Sequence, residues 1–166
     1  MSSKIDSTRT GEIKVKALLI IVYIVMGLTL LLMCLLPYFA KTDTGFYFSL
    51  LTSIERNTVV AYIILCCLPF LCALFIVKKI CDLISQGDSF SIATLSMLSG
   101  IVTCCYTEAA INVIAIFLFP MLFNFQFNAL CFLIIGICGA VTVFTTVLKE
   151  LVKSAIRLRE ENELTI

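Results

Sequence analysis

From Ser89 to Leu148, sixty consecutive residues carry a single charge, Glu108. One helical crossing of a hydrocarbon core roughly 30 Å thick needs only about 20 apolar residues. The run is therefore too long for one span and suits two. Phe119-Pro120 and the polar Asn124, Gln126 and Asn128 set the intervening turn near residues 120–127. Two more uncharged runs have spanning length: Ala17 to Phe39, between Lys16 and Lys41, and Thr58 to Val77, between Arg56 and Lys78. Four spans follow, at about 17–39, 58–77, 97–119 and 128–148. The runs are continuous and not alternating, which excludes a transmembrane β-barrel. The fold class is an all-α polytopic integral membrane protein with four transmembrane helices.

Composition agrees. Hydrophobic residues make up 61% and charged residues 14%, with a mean hydropathy of +1.10. A soluble domain carries about 45–50% and about 25%. A disordered chain has too little apolar surface for such a count. A net charge of +1 supplies no field for a polyanion, so no direct nucleic-acid contact is expected. There is no His, the commonest metal ligand and general base.

Nine cysteines invite a disulfide or metal reading, but the number is odd, no pair has C-x-x-C spacing, and nearly all lie in apolar runs. They are expected to pack as small hydrophobes. Leu31-Leu32-Met33-Cys34 faintly resembles a lipoprotein box, yet Met33 is too large before the Cys, and Tyr38-Phe39-Ala40 is no cleavage site. The first span is expected to be a retained anchor.

Basic residues orient the chain. Lys4, Arg9, Lys14 and Lys16 precede the first span, Lys78 and Lys79 follow the second, and Lys149, Lys153, Arg157 and Arg159 follow the fourth. Only Lys41 and Arg56 lie on the other side. Both termini are expected in the cytoplasm. Residues 1–16 are then a polar cytoplasmic N-terminus, 17–148 a four-helix transmembrane domain with a cytoplasmic hairpin over 78–96, and 149–166 a cytoplasmic amphipathic C-terminal helix. The short outer loop carries Phe46, Tyr47 and Phe48, residues suited to the headgroup belt. It has no Cys, which excludes a tetraspanin.

Helical spacing continues past the second span, with Ile80, Leu83 and Ile84 opposite Lys79, Asp82 and Gln86, until Gly87 offers a C-terminal stop. Asp88, Ser89 and Ser91 offer N-cap oxygens for the third helix, and Phe90 can pin its entry. Beyond the fourth span, Leu148, Leu151, Val152, Ala155 and Ile156 form a stripe that could pack on residues 78–87. Arg157–Glu161 and Arg159–Glu163 are i,i+4 pairs whose order opposes the helix dipole. The end, with exposed Leu164 and Ile166, can fray or dock on this chain or another.

The segment Gly87-Asp88-Ser89-Phe90-Ser91, with Leu98 and Ile101, resembles the G-x-x-F-S hallmark of a bacterial membrane family catalogued as domain of unknown function 2975. The ending Glu160-Glu161-Asn162-Glu163-Leu164-Thr165-Ile166 is similar to that family's terminus. Length, span number and both motif positions agree over nearly the whole chain. The resemblance implies a four-span protein of the bacterial inner membrane with no established activity, typically encoded beside a helix-turn-helix regulator. It marks Gly87, Phe90, Ser91, Glu161, Asn162, Leu164 and Ile166 as candidate partner-binding residues. After Ser91 this chain departs from the family, carrying Thr94, Ser96, Met97, Ser99 and Gly100 where members have an Asn and several basic residues.

Glu108 falls near mid-bilayer. A central acid costs about 2.5–3.5 kcal/mol, and the apolar residues of its span return about 3–6 kcal/mol together, so insertion is expected. Asn112, one turn on, can hydrogen-bond it, and Thr107 and Cys104 are near in sequence. Glu108 and Asn112 are the candidate intramembrane polar site. The readings are a protonated acid bridging helices, a proton- or cation-coupled site, or the lining of an aqueous cavity. No second intramembrane charge offers a relay. Pro69 should kink the second span, and Gly136-Ile137-Cys138-Gly139-Ala140 and Gly100 offer small surfaces for helix contact.

No nucleotide loop, metal cluster, nucleophile–base pair or carboxylate pair is present, so no enzymatic activity and no cofactor are expected. The leading expectation is a regulatory or sensory membrane protein that binds a cytoplasmic partner, a helix-turn-helix repressor by family resemblance, through its hairpin and tail. The alternative is a small oligomeric transporter or channel using Glu108. A membrane structural or assembly factor is a third reading.

Overall fold

A computed structural model of the chain describes residues 2–41, 52–85, 91–122 and 128–163, with side chains over 15–39, 52–85, 91–120 and 128–161. Four helices account for nearly all of them: α1 (Ser2–Lys41), α2 (Ser53–Ser85), α3 (Ile92–Leu122) and α4 (Asn128–Glu163). Each contains a segment long and apolar enough to cross a membrane. The protein is an all-α, multi-pass membrane protein.

All four helices outrun the expected spans. α1 is helical from Ser2, because each residue added to an existing helix gains one hydrogen bond. α2 begins at Ser53, where Thr52 and Glu55 form a reciprocal cap. The Thr52 amide donates to Glu55 Oε2 at 2.7 Å, and the Glu55 amide to Thr52 Oγ1 at 3.5 Å. α3 runs through Pro120 and ends at Leu122, within the turn region expected over 120–127. α2 continues unbroken through Pro69 to Ser85, and α4 runs through the amphipathic segment to Glu163. Phe46, Tyr47, Phe48 and Gly87 lie outside the described residues.

Packing follows chain order. α1 lies on α2, α2 on α3, and α3 on α4. Neighbours are antiparallel: Tyr23 faces Lys78, Ile76 faces Gly100, and Tyr62 meets both Asn112 and Phe119. The start of α1 and the end of α4 therefore share one end of the row with Lys78 and Lys79. The row curls enough for Tyr62 of α2 to reach Cys131 of α4.

Two helices bury stripes at heptad spacing. In α1 the covered positions include Val15, Leu19, Val22, Met26, Thr29, Met33 and Leu36, with Val25 and Pro37 beside them; Thr29 turns its hydroxyl onto the Val25 carbonyl at 2.8 Å. In α3 the most deeply buried positions are Thr94, Leu98, Asn112, Ala115 and Phe119, within a wider half-covered face that includes Ile101, Cys105 and Glu108. Spacings of three and four keep a seam facing its partner, as in left-handed antiparallel bundles. At Gly100 a Cβ would meet Ile76 Cδ1 at 3.0 Å, the flexible end of a side chain that would have to shift, so the small residue eases the close approach of α2 and α3. The fourth-span glycines are a correction: around Gly136 and Gly139 nothing lies within 4 Å of an added Cβ, so their small face contacts no other described helix.

Candidate intramembrane polar site

One polar cluster joins three helices inside the span. It begins with Asn112, which has no exposed surface. Its Nδ2 donates to the Glu108 carbonyl at 2.8 Å and to Glu108 Oε1 at 3.3 Å, the i,i+4 geometry the spacing allows. Its Oδ1 accepts from the Tyr62 hydroxyl of α2 at 2.7 Å. Tyr62 has one hydrogen to give, so at 3.5 Å the Cys131 thiol of α4 acts as donor to the Tyr62 oxygen. The Phe119 ring meets the Tyr62 ring edge to face at 4.9 Å and 86°.

Every hydrogen bond in this chain points toward Glu108. The sequence Cys131, Tyr62, Asn112, Glu108 runs from thiol to hydroxyl to amide to carboxyl, and the carboxyl is its last acceptor. Its second oxygen, Oε2, is buried and makes no hydrogen bond among the described residues, with the Cys66 thiol beside it. An unsatisfied acceptor in an apolar interior costs about 1–3 kcal/mol.

Glu108 also lines a groove of about 390 Å³ between α2 and α4. Tyr62, Cys66, Cys67 and Phe70 form one wall, and Leu130, Ile134, Ile137 and Cys138 the other. Glu108 is the one acid or base of this lining. The groove is open on its outer side, toward lipid. Pro69 falls within the α2 wall, between Cys67 and Phe70. Geometrically this is a lipid-accessible apolar slot with a hydrogen-bond acceptor at its base.

Of the residues singled out by sequence, Glu108 and Asn112 come together as expected. Thr107 does not join them; its hydroxyl bonds the Thr103 carbonyl at 3.0 Å, and Thr103 in turn bonds the Ser99 carbonyl at 3.1 Å. These hydroxyls satisfy themselves on their own helix. Tyr62, Cys66 and Cys131 were not anticipated as site residues. The available signal was the i,i+4 series Thr58, Tyr62, Cys66 along one face of α2.

Among the candidate partner-binding residues, Ser91 caps α3: its Oγ accepts the Thr94 amide at 3.4 Å and lies 3.2 Å from Thr94 Oγ1. Glu161 is exposed and pairs with Arg157 at 3.0 Å, as the spacing predicts. Asn162 lies in the last turn of α4, while Gly87, Phe90, Leu164 and Ile166 fall outside the described residues. The amphipathic stripe is narrower than its spacing implies, since Leu151 is exposed while Leu148, Val152, Ala155 and Ile156 are half-covered. α4 packs mainly on α3, so residues 78–85 of α2 do not supply the extensive partner surface expected for that stripe. All nine cysteines are free thiols, with Cys81 and Cys131 buried.

No curated protein and no solved structure matches the chain. Residues 12–166 match a protein family described as "Protein of unknown function (DUF2975)", bringing the amino-acid pattern, the four membrane helices and the family's extent into agreement. The chain belongs to that family.

Proposed function

We propose that this chain is a regulatory, sensory protein of the bacterial cytoplasmic membrane. It takes up a small amphiphilic ligand at Glu108 and signals to a soluble partner. The observation that supports this reading is the buried Glu108 Oε2 at the base of the groove between α2 and α4, which has no N–H or O–H donor among the described residues and only the Cys66 thiol beside it. A ligand suited to it brings a cationic or hydrogen-bonding nitrogen on an apolar body. The nitrogen satisfies Oε2, and the body replaces lipid in the groove. The function is binding and not catalysis.

Output runs through the helices that form the walls. α4 extends without proline for 36 residues, about 54 Å at 1.5 Å per residue. That exceeds the thickness of the hydrocarbon core by some 20 Å. A change in wall spacing at Cys131 and Cys138 is thus carried along one rigid element to Glu161. With both termini cytoplasmic, the hairpin and tail are the surfaces offered to a partner. The family resemblance makes a helix-turn-helix repressor the partner of choice. The alternative reading, an oligomeric transporter, needs a route for protons or ions past Glu108, and the apolar runs 17–39, 58–77, 97–119 and 128–148 contain no second charged residue to form one.

The test pairs a ligand with a partner. Purified full chain in mild detergent is titrated with a long-chain primary alkylamine, and with the matching alcohol, for the wild type and Glu108→Gln. Tighter amine binding by the wild type, lost in the variant, is expected. A pull-down from native membranes with the full chain, and with residues 159–166 removed, is expected to retain a DNA-binding protein only in the first case. Proton-coupled amine flux in liposomes that Glu108→Gln abolishes, without any captured partner, would replace this reading with transport.

A further inference from the structure

A second groove, unrelated to Glu108, opens between α1 and α2. It holds about 500 Å³ and is lined by Met26, Leu30, Leu71, Cys72, Phe75 and Ile76. At the end of the row that carries the start of α1 and the end of α4, it meets two ammonium groups. Lys78 Nζ lies 5.8 Å and Lys79 Nζ 5.1 Å from the centroid of the same Phe75 ring, and Lys78 Nζ lies 5.5 Å from that of Tyr23. Phe75 thus belongs to both features, as a wall of the groove and a seat for the cations. Consecutive residues on a helix point about 100° apart, so their side chains ordinarily diverge. Here the two turn toward one ring.

Neither lysine forms a salt bridge among the described residues. Asp82, one turn farther on, acts on Lys78 only from a distance. Among the described residues, no carboxylate forms an ion pair with either ammonium group at the mouth of this apolar slot. On α2 the slot's lining runs from Leu71 to Ile76, about 7.5 Å of helix, and Lys78 and Lys79 follow just beyond it.

We infer that this α1–α2 groove is a binding site for an anionic phospholipid, its phosphate held by Lys78 and Lys79 and one acyl chain lying along Met26, Leu30, Leu71 and Cys72. Charge complementarity selects the headgroup, and the groove selects a lipid over a free anion. Aromatic faces hold the lysines at the interface, so little side-chain freedom is lost when the phosphate arrives. A zwitterionic lipid fits the groove but adds a positive group beside two others.

The experiment is native mass spectrometry of the full chain in nonionic detergent, titrated with phosphatidylglycerol, phosphatidylcholine or inorganic phosphate. Phosphatidylglycerol is expected to bind most tightly. The K78Q/K79Q variant should weaken it about tenfold to thirtyfold, at about 1 kcal/mol per interfacial lysine. K78R/K79R should retain it, which separates charge from folding. K149Q/K153Q, with the same loss of charge on α4, should bind as the wild type does. Equal binding of the two lipids, equal loss in both Gln variants, or inorganic phosphate competing at the lipid's own concentration would each overturn the assignment.

Discussion

The Tyr62 hydroxyl of α2 donates a 2.7 Å hydrogen bond to Asn112 Oδ1 of α3, across the helix seam one turn from the only acid in the long apolar run. This bond fixes the rotation of both helices about their axes. It also holds the Asn112 amide so that its nitrogen faces Glu108. Tyr62→Phe removes the donor and leaves Oδ1 buried. A loss of about 1–2 kcal/mol is expected, near the upper range for hydrogen bonds between membrane helices. Unfolding in mixed micelles with SDS measures it. In a cycle with Asn112→Ala, the double variant should cost less than the two singles combined.

Glu108 is expected to behave oppositely. With Oε2 unsatisfied, Glu108→Leu removes a buried acceptor, and Asn112 Nδ2 keeps its bond to the residue-108 carbonyl. Stability should rise by about 1–2 kcal/mol while amine binding disappears. The same unfolding assay, run beside the binding titration, checks both halves. A Glu108→Leu protein less stable than wild type would show that the acid serves packing and not a ligand.

The glycines separate cleanly. Gly100→Ala meets only the flexible end of Ile76 and should cost less than about 1 kcal/mol, whereas Gly100→Leu forces α2 and α3 apart and should cost about 1–3 kcal/mol. Gly136→Ala and Gly139→Ala face open space and should leave stability unchanged or raise it by a few tenths of a kcal/mol. Thermal shifts of the four variants in one detergent rank them.

Ser91 has a defined structural task, which makes its part in partner binding testable. Ser91→Ala removes an N-cap and should destabilise the start of α3 by about 1 kcal/mol, read as faster hydrogen exchange at the Thr94 amide. Ser91→Asp keeps the cap and should restore protection. If Ser91→Asp still abolishes partner capture, the hydroxyl has a role at the partner surface beyond capping.

The spans were legible because hydrophobic length and charge boundaries carry that information directly. Which face of each span is buried was not. In α1 the covered residues Val22 and Met26 are no more apolar than exposed Ile20, Ile21 or Ile24, since lipid and helix partner reward the same side chains. The Glu108–Asn112 contact was readable from its four-residue spacing. Tyr62 was not, because its partners stand 50 and 69 residues away and its own ring passes as one more apolar group. The start of α2 was missed for a different reason. The charge at Arg56 bounds the apolar run, although Thr52-Ser53-Ile54-Glu55 carries a capping box that starts the helix before it.

Serial packing also gives the molecule an order of arrival. Each helix after the first packs on the one synthesised just before it, so α1 and α2 can pair while the rest of the chain is still on the ribosome. The polar cluster is the exception. Tyr62 and Asn112 meet when α3 is inserted, but the Cys131 thiol and the far wall of the groove belong to α4. A nascent chain of three helices would thus hold a bare carboxyl against lipid. The last helix to enter the membrane finishes its enclosure, so completion of synthesis and concealment of the buried acid are one event.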